Sequence, residues 1–333
     1  MSERQGAGEY AVAWLVDVIE VGASLTRPAG DGPFPAVIMV AGSGPTDRNW
    51  NTPLLPGTNG SAGLLAQVLA DHGFVVLRYD KRASGPQGLA NAERLAGRVS
   101  MQSHVDELAG GVLLLAARED VDAARIFALS NSEGAIHVLN YQMQQEALPL
   151  AGMVLTGAPA RPVGVVAHGQ LAAQLQPLPG GAEQLAAYDR AMANFVAEQP
   201  LDLDPNLLEG VRNLILGITQ PFNQPFAREL WVLDPLAQLA AVTVPVLVLI
   251  GKKDIQVDWQ ADGSLFVALA ETHANLAVFF PPETNHVLKH EARPRETLNG
   301  PEAAASYNVE GTVLDPEAVE IIVDWLRKVA GGS

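Results

Sequence analysis

The sequence predicts an α/β protein built on one mostly parallel sheet with helices on both faces. Three observations predict it. Short apolar runs recur at 35–41, 74–80, 124–129, 151–156, 244–250 and 276–280, and such runs suit strands covered on both sides. Stretches of helical spacing lie between most of them. Turn residues close the runs, as in the loop that begins Gly42-Ser43-Gly44-Pro45.

The elements follow in order. Residues 9–27 alternate as two antiparallel strands. The run 35–41 is a buried strand that ends in the turn-rich loop 42–49. Residues 61–72 read as a helix and 74–80 as the next strand. Residues 103–118 are helical, with Val105, Leu108, Val112 and Leu115 on one stripe. The strand 124–129 runs into a helix over 133–145, and another strand covers 151–156. Residues 161–240 break the rhythm. Helical spacing appears at Leu185, Tyr188, Met192 and Phe195 and again at Leu208, Val211, Leu214 and Ile218, punctuated by prolines. This stretch is expected to be a helical cap or lid of about four helices, inserted in a core formed by residues 1–160 and 241–333. The core resumes with strands at 244–250 and 276–280. It ends in an amphipathic helix over 315–328, with Asp315 as N-cap and Pro316 at the first position.

Composition narrows the partners. The chain has 333 residues, and its 21 Lys+Arg against 37 Asp+Glu leave a net charge of −16. So acidic a surface argues against nucleic acid and anionic membranes. There is no cysteine, which excludes disulfides, thiolate metal sites and a thiol nucleophile. The start of the chain is polar and no run is long and apolar enough for a membrane span. A cytoplasmic protein is the expectation, and a homo-oligomer is compatible with it.

The chemistry centres on Ser132. It sits at the strand-to-helix junction in Ser130-Asn131-Ser132-Glu133-Gly134, with small residues at alternating positions. That is the layout of a nucleophile elbow: a strand, a sharp turn projecting a hydroxyl, then a helix N-terminus aimed at the same spot. A serine occupies position 130, where the usual pattern has glycine. A serine hydroxyl needs a base, and the base needs a carboxylate to fix its tautomer. In sheet enzymes of this type the order along the chain is Ser, acid, His. Asp254 follows the strand 244–250 and is the acid, with Asp258 as second choice. Of the seven histidines only His286 and His290 follow the last strand, and His286 is the base. Their His-x-x-x-His spacing could suit a metal, but no third ligand is evident, so no metal is expected. The backbone N–H groups of Glu133 and Ser43 are the expected oxyanion donors, with Gly42 and Gly44 letting the loop approach a substrate. Asp47, Arg48, Arg78, Asp80 and Arg82 flank this edge as a candidate ion-pair network.

With these pieces in place the chain resembles the α/β-hydrolase superfamily, in particular bacterial carboxylesterases grouped with serine-aminopeptidase-like hydrolases. The segments that carry the resemblance are 41–49, 77–82, 130–134, 251–254 and Asn285-His286. The resemblance implies the α/β-hydrolase fold, nucleophile Ser132, acid Asp254, base His286, oxyanion donors near Ser43 and Glu133, and ester hydrolysis without a cofactor. The leading expectation is a carboxylesterase for small esters with short to medium acyl chains. A serine aminopeptidase, thioesterase or acyltransferase would use the same triad. A non-catalytic ligand-binding protein of the same fold is the remaining alternative.

Overall fold

The computed structural model describes residues 6–298 and 300–331, so residues 1–5 of the polar start lie outside it. The chain forms two compact units. The first is drawn from the stretch up to Arg94, from His104–Ala160 and from Leu236 onward. The second comprises Leu95–Ser103 and Arg161–Pro235. Relative to the expected 161–240, it ends earlier and adds a short earlier segment.

Along the chain run β1 (Gly8–Val16), β2 (Ile19–Arg27), β3 (Phe34–Val40), α1 (Ser61–Asp71), β4 (Val75–Tyr79), α2 (Gly88–Leu95), α3 (Met101–Ala116), β5 (Val121–Asn131), α4 (Gly134–Gln142) and β6 (Gly152–Thr156). The helical stretch holds α5 (Val163–Leu175), α6 (Gly181–Val196), α7 (Glu209–Ile218) and α8 (Phe226–Val232). Then come α9 (Pro235–Ala240), β7 (Val246–Leu249), α10 (Ala261–Ala270), β8 (Leu276–Phe279), α11 (Gly300–Ala305) and α12 (Pro316–Val329). Among the described residues no helix is long and apolar enough to cross a membrane.

Eight strands form one sheet in the order β1-β2-β4-β3-β5-β6-β7-β8. β1 and β2 are a hairpin paired from Gly8↔Arg27 to Val16↔Ile19, and Asp17 takes the left-handed φ of +50° that its two-residue turn favours. β2 joins β4 antiparallel, and the pairs from β4 through β8 are parallel.

Strand alternation sorts the core into two layers. Val37 and Met39 of β3, Phe127 and Leu129 of β5, and Leu247 and Leu249 of β7 share one buried cluster with the apolar stripes of α1 and α12. On the opposite face α3 lies against Ile38, so closely that a Cβ on Gly111 would stand 2.6 Å from its Cδ1. The stripe Val105, Leu108, Val112 and Leu115 is buried as its spacing predicts. Asp315 caps α12, its carboxylate accepting from the Ala318 N–H at 3.0 Å.

This topology places the site. The connection leaving β3 runs to β4 on one side, and the connection leaving β5 runs to β6 on the other. The chain therefore parts at the C-terminal ends of β3 and β5, the position where open parallel sheets make their crevice. The loops after β3, β5, β7 and β8 carry Gly42, Ser132, Asp254 and His286 to that edge. The helical unit has its own core, in which Leu171 and Leu175 of α5, Tyr188 and Met192 of α6, and Val211 and Ile215 of α7 pack together.

Candidate active site

Ser132 is left-handed, with φ +55°. A non-glycine residue holds that conformation only where its surroundings impose it, and here they do. β5 ends at Asn131 and Glu133 is already the N-cap of α4, so the whole reversal falls on Ser132. Its N–H donates to the Thr156 carbonyl at 2.8 Å, which ties the turn to the end of β6. The helix then passes so close to β3 that a Cβ on Gly134 would stand 2.6 Å from the Val40 oxygen and 2.8 Å from that of Ala41. Ser130 creates no crowding. It is the penultimate residue of β5, its hydroxyl donating to the Val154 carbonyl at 3.3 Å while its own carbonyl accepts from Thr156 Oγ1 at 2.8 Å.

His286 Nδ1 and Asp254 Oδ2 are 2.8 Å apart and both side chains are buried. A carboxylate only accepts, so Nδ1 carries the proton and Nε2 is left as the basic nitrogen. Asp254 does two jobs. Its Oδ1 accepts from the backbone N–H groups of Gln256 at 2.8 Å and Val257 at 2.9 Å, and its Oδ2 holds the imidazole. The His286 loop is braced by Asn285, whose Oδ1 accepts from Val287 N and Lys289 N at 3.1 and 2.9 Å. The His286 carbonyl accepts from Asn131 Nδ2 at 2.8 Å, which links the base directly to the residue before Ser132.

Ser132 and His286 line one cleft of about 110 Å³ together with Gly42, Ser43, Trp50 and Tyr307. Thr46 folds the Ser43 loop back on itself, its Oγ1 donating to the Ser43 carbonyl at 2.7 Å and its N–H to the Gly44 carbonyl at 2.8 Å. Among the described residues neither the Ser43 N–H nor the Glu133 N–H has a protein acceptor. Gly44 and Glu133 are not among the residues that line the cleft.

Comparison with known proteins agrees with this architecture. No family model matches. Esterase EstD of Thermotoga maritima is 26% identical over 311 residues, covering 91% of this chain and 65% of its own length. The chain thus spans slightly less than two thirds of that relative. Among solved structures, an esterase of Pyrococcus furiosus superposes with a TM-score of 0.57 at 16% identity, over 98% of this chain and 92% of the other. Proline iminopeptidase of Mycobacterium smegmatis does so with a TM-score of 0.55 at 18% identity, over 96% and 99%. The chain has the α/β-hydrolase fold.

Within this fold the second-choice residues have other partners. His290 Nδ1 lies 3.0 Å from Asp315 Oδ2, at the cap of α12, so the two histidines of the His-x-x-x-His pair rest on different carboxylates. Asp258 accepts from Gln260 N and Ala261 N at 2.8 and 3.0 Å, at the start of α10. Among the described residues no group of three or more His, Cys, Asp or Glu side chains is placed to hold a metal ion.

The flanking charges form pairs, with one rearrangement. Arg48 binds Asp80, Nη2 to Oδ2 at 2.6 Å. Arg78 joins Glu9 at 2.5 Å and Asn49, while Asp47 accepts from the N–H groups of Asn49 and Asn51 at 2.8 and 2.9 Å. Arg82 instead turns inward onto Glu107 of α3.

Sequence reasoning missed the cluster that Arg82 joins. Behind the elbow, Lys81, Glu133 and His137 form one buried chain. Lys81 Nζ is 2.9 Å from Glu133 Oε1, and His137 Nε2 is 3.1 Å from the same oxygen. The His137 ring stacks on His104 with centroids 4.5 Å apart, and His104 Nδ1 lies 3.6 Å from Glu107 Oε2. Burial pushes the Glu133 carboxyl up, but Lys81 and His137 outweigh it and hold the group well below the usual carboxylate range. Burial, reinforced by His104, brings His137 down to about 4. Burial, opposed by Arg82 and Lys81, raises Glu107 to about 7. The available signal was the i,i+4 spacing of Glu133 and His137 on α4.

Proposed function

We propose that this chain is a serine carboxylesterase. Ser132 is the nucleophile, His286 the general base and Asp254 the carboxylate that orients it. The observation that carries the reading is the His286–Asp254 bond at 2.8 Å on the wall of the cleft that a left-handed Ser132 also lines. Ser132 Oγ attacks the ester carbonyl as His286 Nε2 takes its proton. The tetrahedral oxyanion rests on the unpartnered N–H groups of Ser43 and Glu133. The intermediate collapses as imidazolium protonates the departing alcohol, leaving an acyl-Ser132. Water, deprotonated by the same nitrogen, then releases the acid and regenerates the hydroxyl.

Several observations support esters over peptides. EstD is named as an esterase. None of the thirteen described residues lining the cleft carries a carboxylate, whereas an aminopeptidase has to hold a free ammonium group. A cleft of this size supports short acyl chains. The helical stretch is read as the cap or lid insertion of this enzyme, and its substrates as small molecules. Thioesters share the carbonyl chemistry and form the second arm of the test.

The test is Ser132→Ala. Purified and folded by circular dichroism, it loses nearly all hydrolysis of p-nitrophenyl acetate and butyrate. Retained turnover refutes the assignment. A panel of p-nitrophenyl esters of graded length, run beside an acyl thioester and an aminoacyl-nitroanilide, locates the substrate class.

A further inference from the structure

Lys81 sits where one ammonium group touches both halves of the oxyanion site. It leaves the end of β4 and is buried, with Nζ 2.7 Å from the Gly42 carbonyl oxygen and 2.9 Å from Glu133 Oε1. The Gly42 carbonyl and the Ser43 N–H belong to the same planar peptide unit and point in opposite directions across it. A donor fixed on that carbonyl therefore fixes where the Ser43 N–H points. The positive charge also polarises the peptide, drawing density towards the carbonyl and leaving its N–H a stronger donor. On the other side Lys81 holds the side chain of Glu133, whose backbone N–H is the second donor. His137 takes the same carboxylate oxygen from α4, so Glu133 is pinned from two directions.

The two donors come from segments about ninety residues apart, the loop after β3 and the first residue after the nucleophile. The β3–β5 ladder, which ends at Val40↔Ser130, brings the two segments side by side, and Lys81 is a side chain that bonds to both of them. We propose that Lys81 is the positioning residue of the oxyanion hole: it holds the Ser43 and Glu133 N–H groups in the relative orientation that meets the developing negative charge. It touches no substrate and acts through the Gly42 carbonyl and the Glu133 carboxylate. This inference rests on the esterase reading above.

The test compares wild type, Ser132→Ala and Lys81→Met with a short p-nitrophenyl ester and a trifluoromethyl ketone, which adds to the serine and carries an oxyanion. Removing a whole donor costs ~10²–10³ in rate, and a misaimed donor costs less. In folded Lys81→Met, kcat falls about 10- to 100-fold, KM stays within about threefold, and ketone affinity falls by the same factor as kcat. A purely structural lysine would lower the melting temperature without making ketone affinity follow kcat. Wild-type kcat in folded Lys81→Met, or a loss carried by KM alone, overturns the proposal. Should Lys81→Met fail to fold, Lys81→Gln decides. It keeps a donor near Glu133 but lacks the charge and the reach to bridge both partners, so the same paired loss is expected at smaller amplitude. Wild-type values in that variant also overturn the proposal. Activity surviving in Ser132→Ala would instead refute the esterase reading, which keeps the two failures distinct.

Discussion

Replacing Asp254 by Asn changes one atom in the site, and the structure dictates what that atom does. Asp254 Oδ1 accepts from two backbone N–H groups, Gln256 at 2.8 Å and Val257 at 2.9 Å, and Oδ2 receives the His286 Nδ1 proton at 2.8 Å. An amide has one acceptor end. Turning its NH₂ towards the backbone pair would set donors against two buried donors, costing about 1–3 kcal/mol for each group left unmatched. The oxygen therefore stays on the backbone side and the NH₂ faces His286. Nδ1 must then accept, the imidazole proton moves to Nε2, and no lone pair remains to take the Ser132 proton. The same tautomer error in a serine protease costs ~10⁴ in turnover, or about 5 kcal/mol of barrier. The assay is kcat/KM on p-nitrophenyl acetate for a variant whose circular dichroism and urea midpoint match wild type. Activity within tenfold of wild type in that folded variant refutes the argument, because it would show that Asp254 does not choose the tautomer.

Two further outcomes follow from the surroundings. Gly134→Ala places a Cβ 2.6 Å from the Val40 oxygen and 2.8 Å from that of Ala41, both backbone. The expected cost is about 1–3 kcal/mol in urea unfolding, as for other overpacked sites, with kcat falling as the elbow shifts. The second outcome concerns acid. Burial, then His104, lowers His137 from 6.5 to about 4, so the unfolded chain takes this proton at a higher pH than the fold does. The contribution is therefore intact above about 6.5 and lost as pH falls towards about 4. Glu107, raised by burial to about 7, opposes it, losing its contribution as pH rises through the same window. His137→Gln tests the histidine: its destabilisation relative to wild type should shrink by about 1.6 kcal/mol between pH 6.5 and pH 5. Urea titrations at the two pH values check this, and a constant difference would contradict it.

Much of the sheet was legible because strand signals are local. The run 35–41 is apolar at every position and becomes β3, buried from Ala36 onward; residues 9–27 alternate and become the β1–β2 hairpin, with its exposed outer strand. α10 was not read. Its Leu265, Phe266, Val267 and Leu269 give no one-sided period, and the buried Asp262 within it looks like a surface residue until its carboxylate is seen accepting from Ala160 N at 3.1 Å. Ser132, Asp254 and His286 stand out as candidates in the sequence because each follows a strand whose end the sequence marks. Glu107 could not. It lies on the buried stripe of α3 beside Leu108, and at 0% exposure it breaks the polar-out pattern on which every helix reading relies. In the sequence its partner Arg82 groups with Asp47, Arg48, Arg78 and Asp80 as a candidate ion-pair network, and nothing local marks its turn inward onto Glu107. Partners brought together by packing of a loop onto a helix leave no periodic trace in the sequence of either.

That hidden cluster is difficult to explain as a stability device. Lys81, Arg82, His104, Glu107, Glu133 and His137 are all buried. Each buried ion carries a desolvation penalty of several kcal/mol, and apolar replacements of such groups are often neutral or stabilising. A core built only for stability would place leucine and phenylalanine there, as it does beside α1 and α12. The charges are instead arranged by sign. Lys81 and Arg82 are cationic, both histidines are kept neutral by burial, Glu133 is held ionised by Lys81 and His137, and burial raises Glu107 to about 7. At neutral pH the cluster therefore leans positive behind the peptide units of Ser43 and Glu133. A positive field fixed there is of no use to a neutral ester in the ground state. In the proposed ester hydrolysis it would act on charge that appears only as the tetrahedral intermediate forms, which is where a binding interaction lowers a barrier rather than a KM.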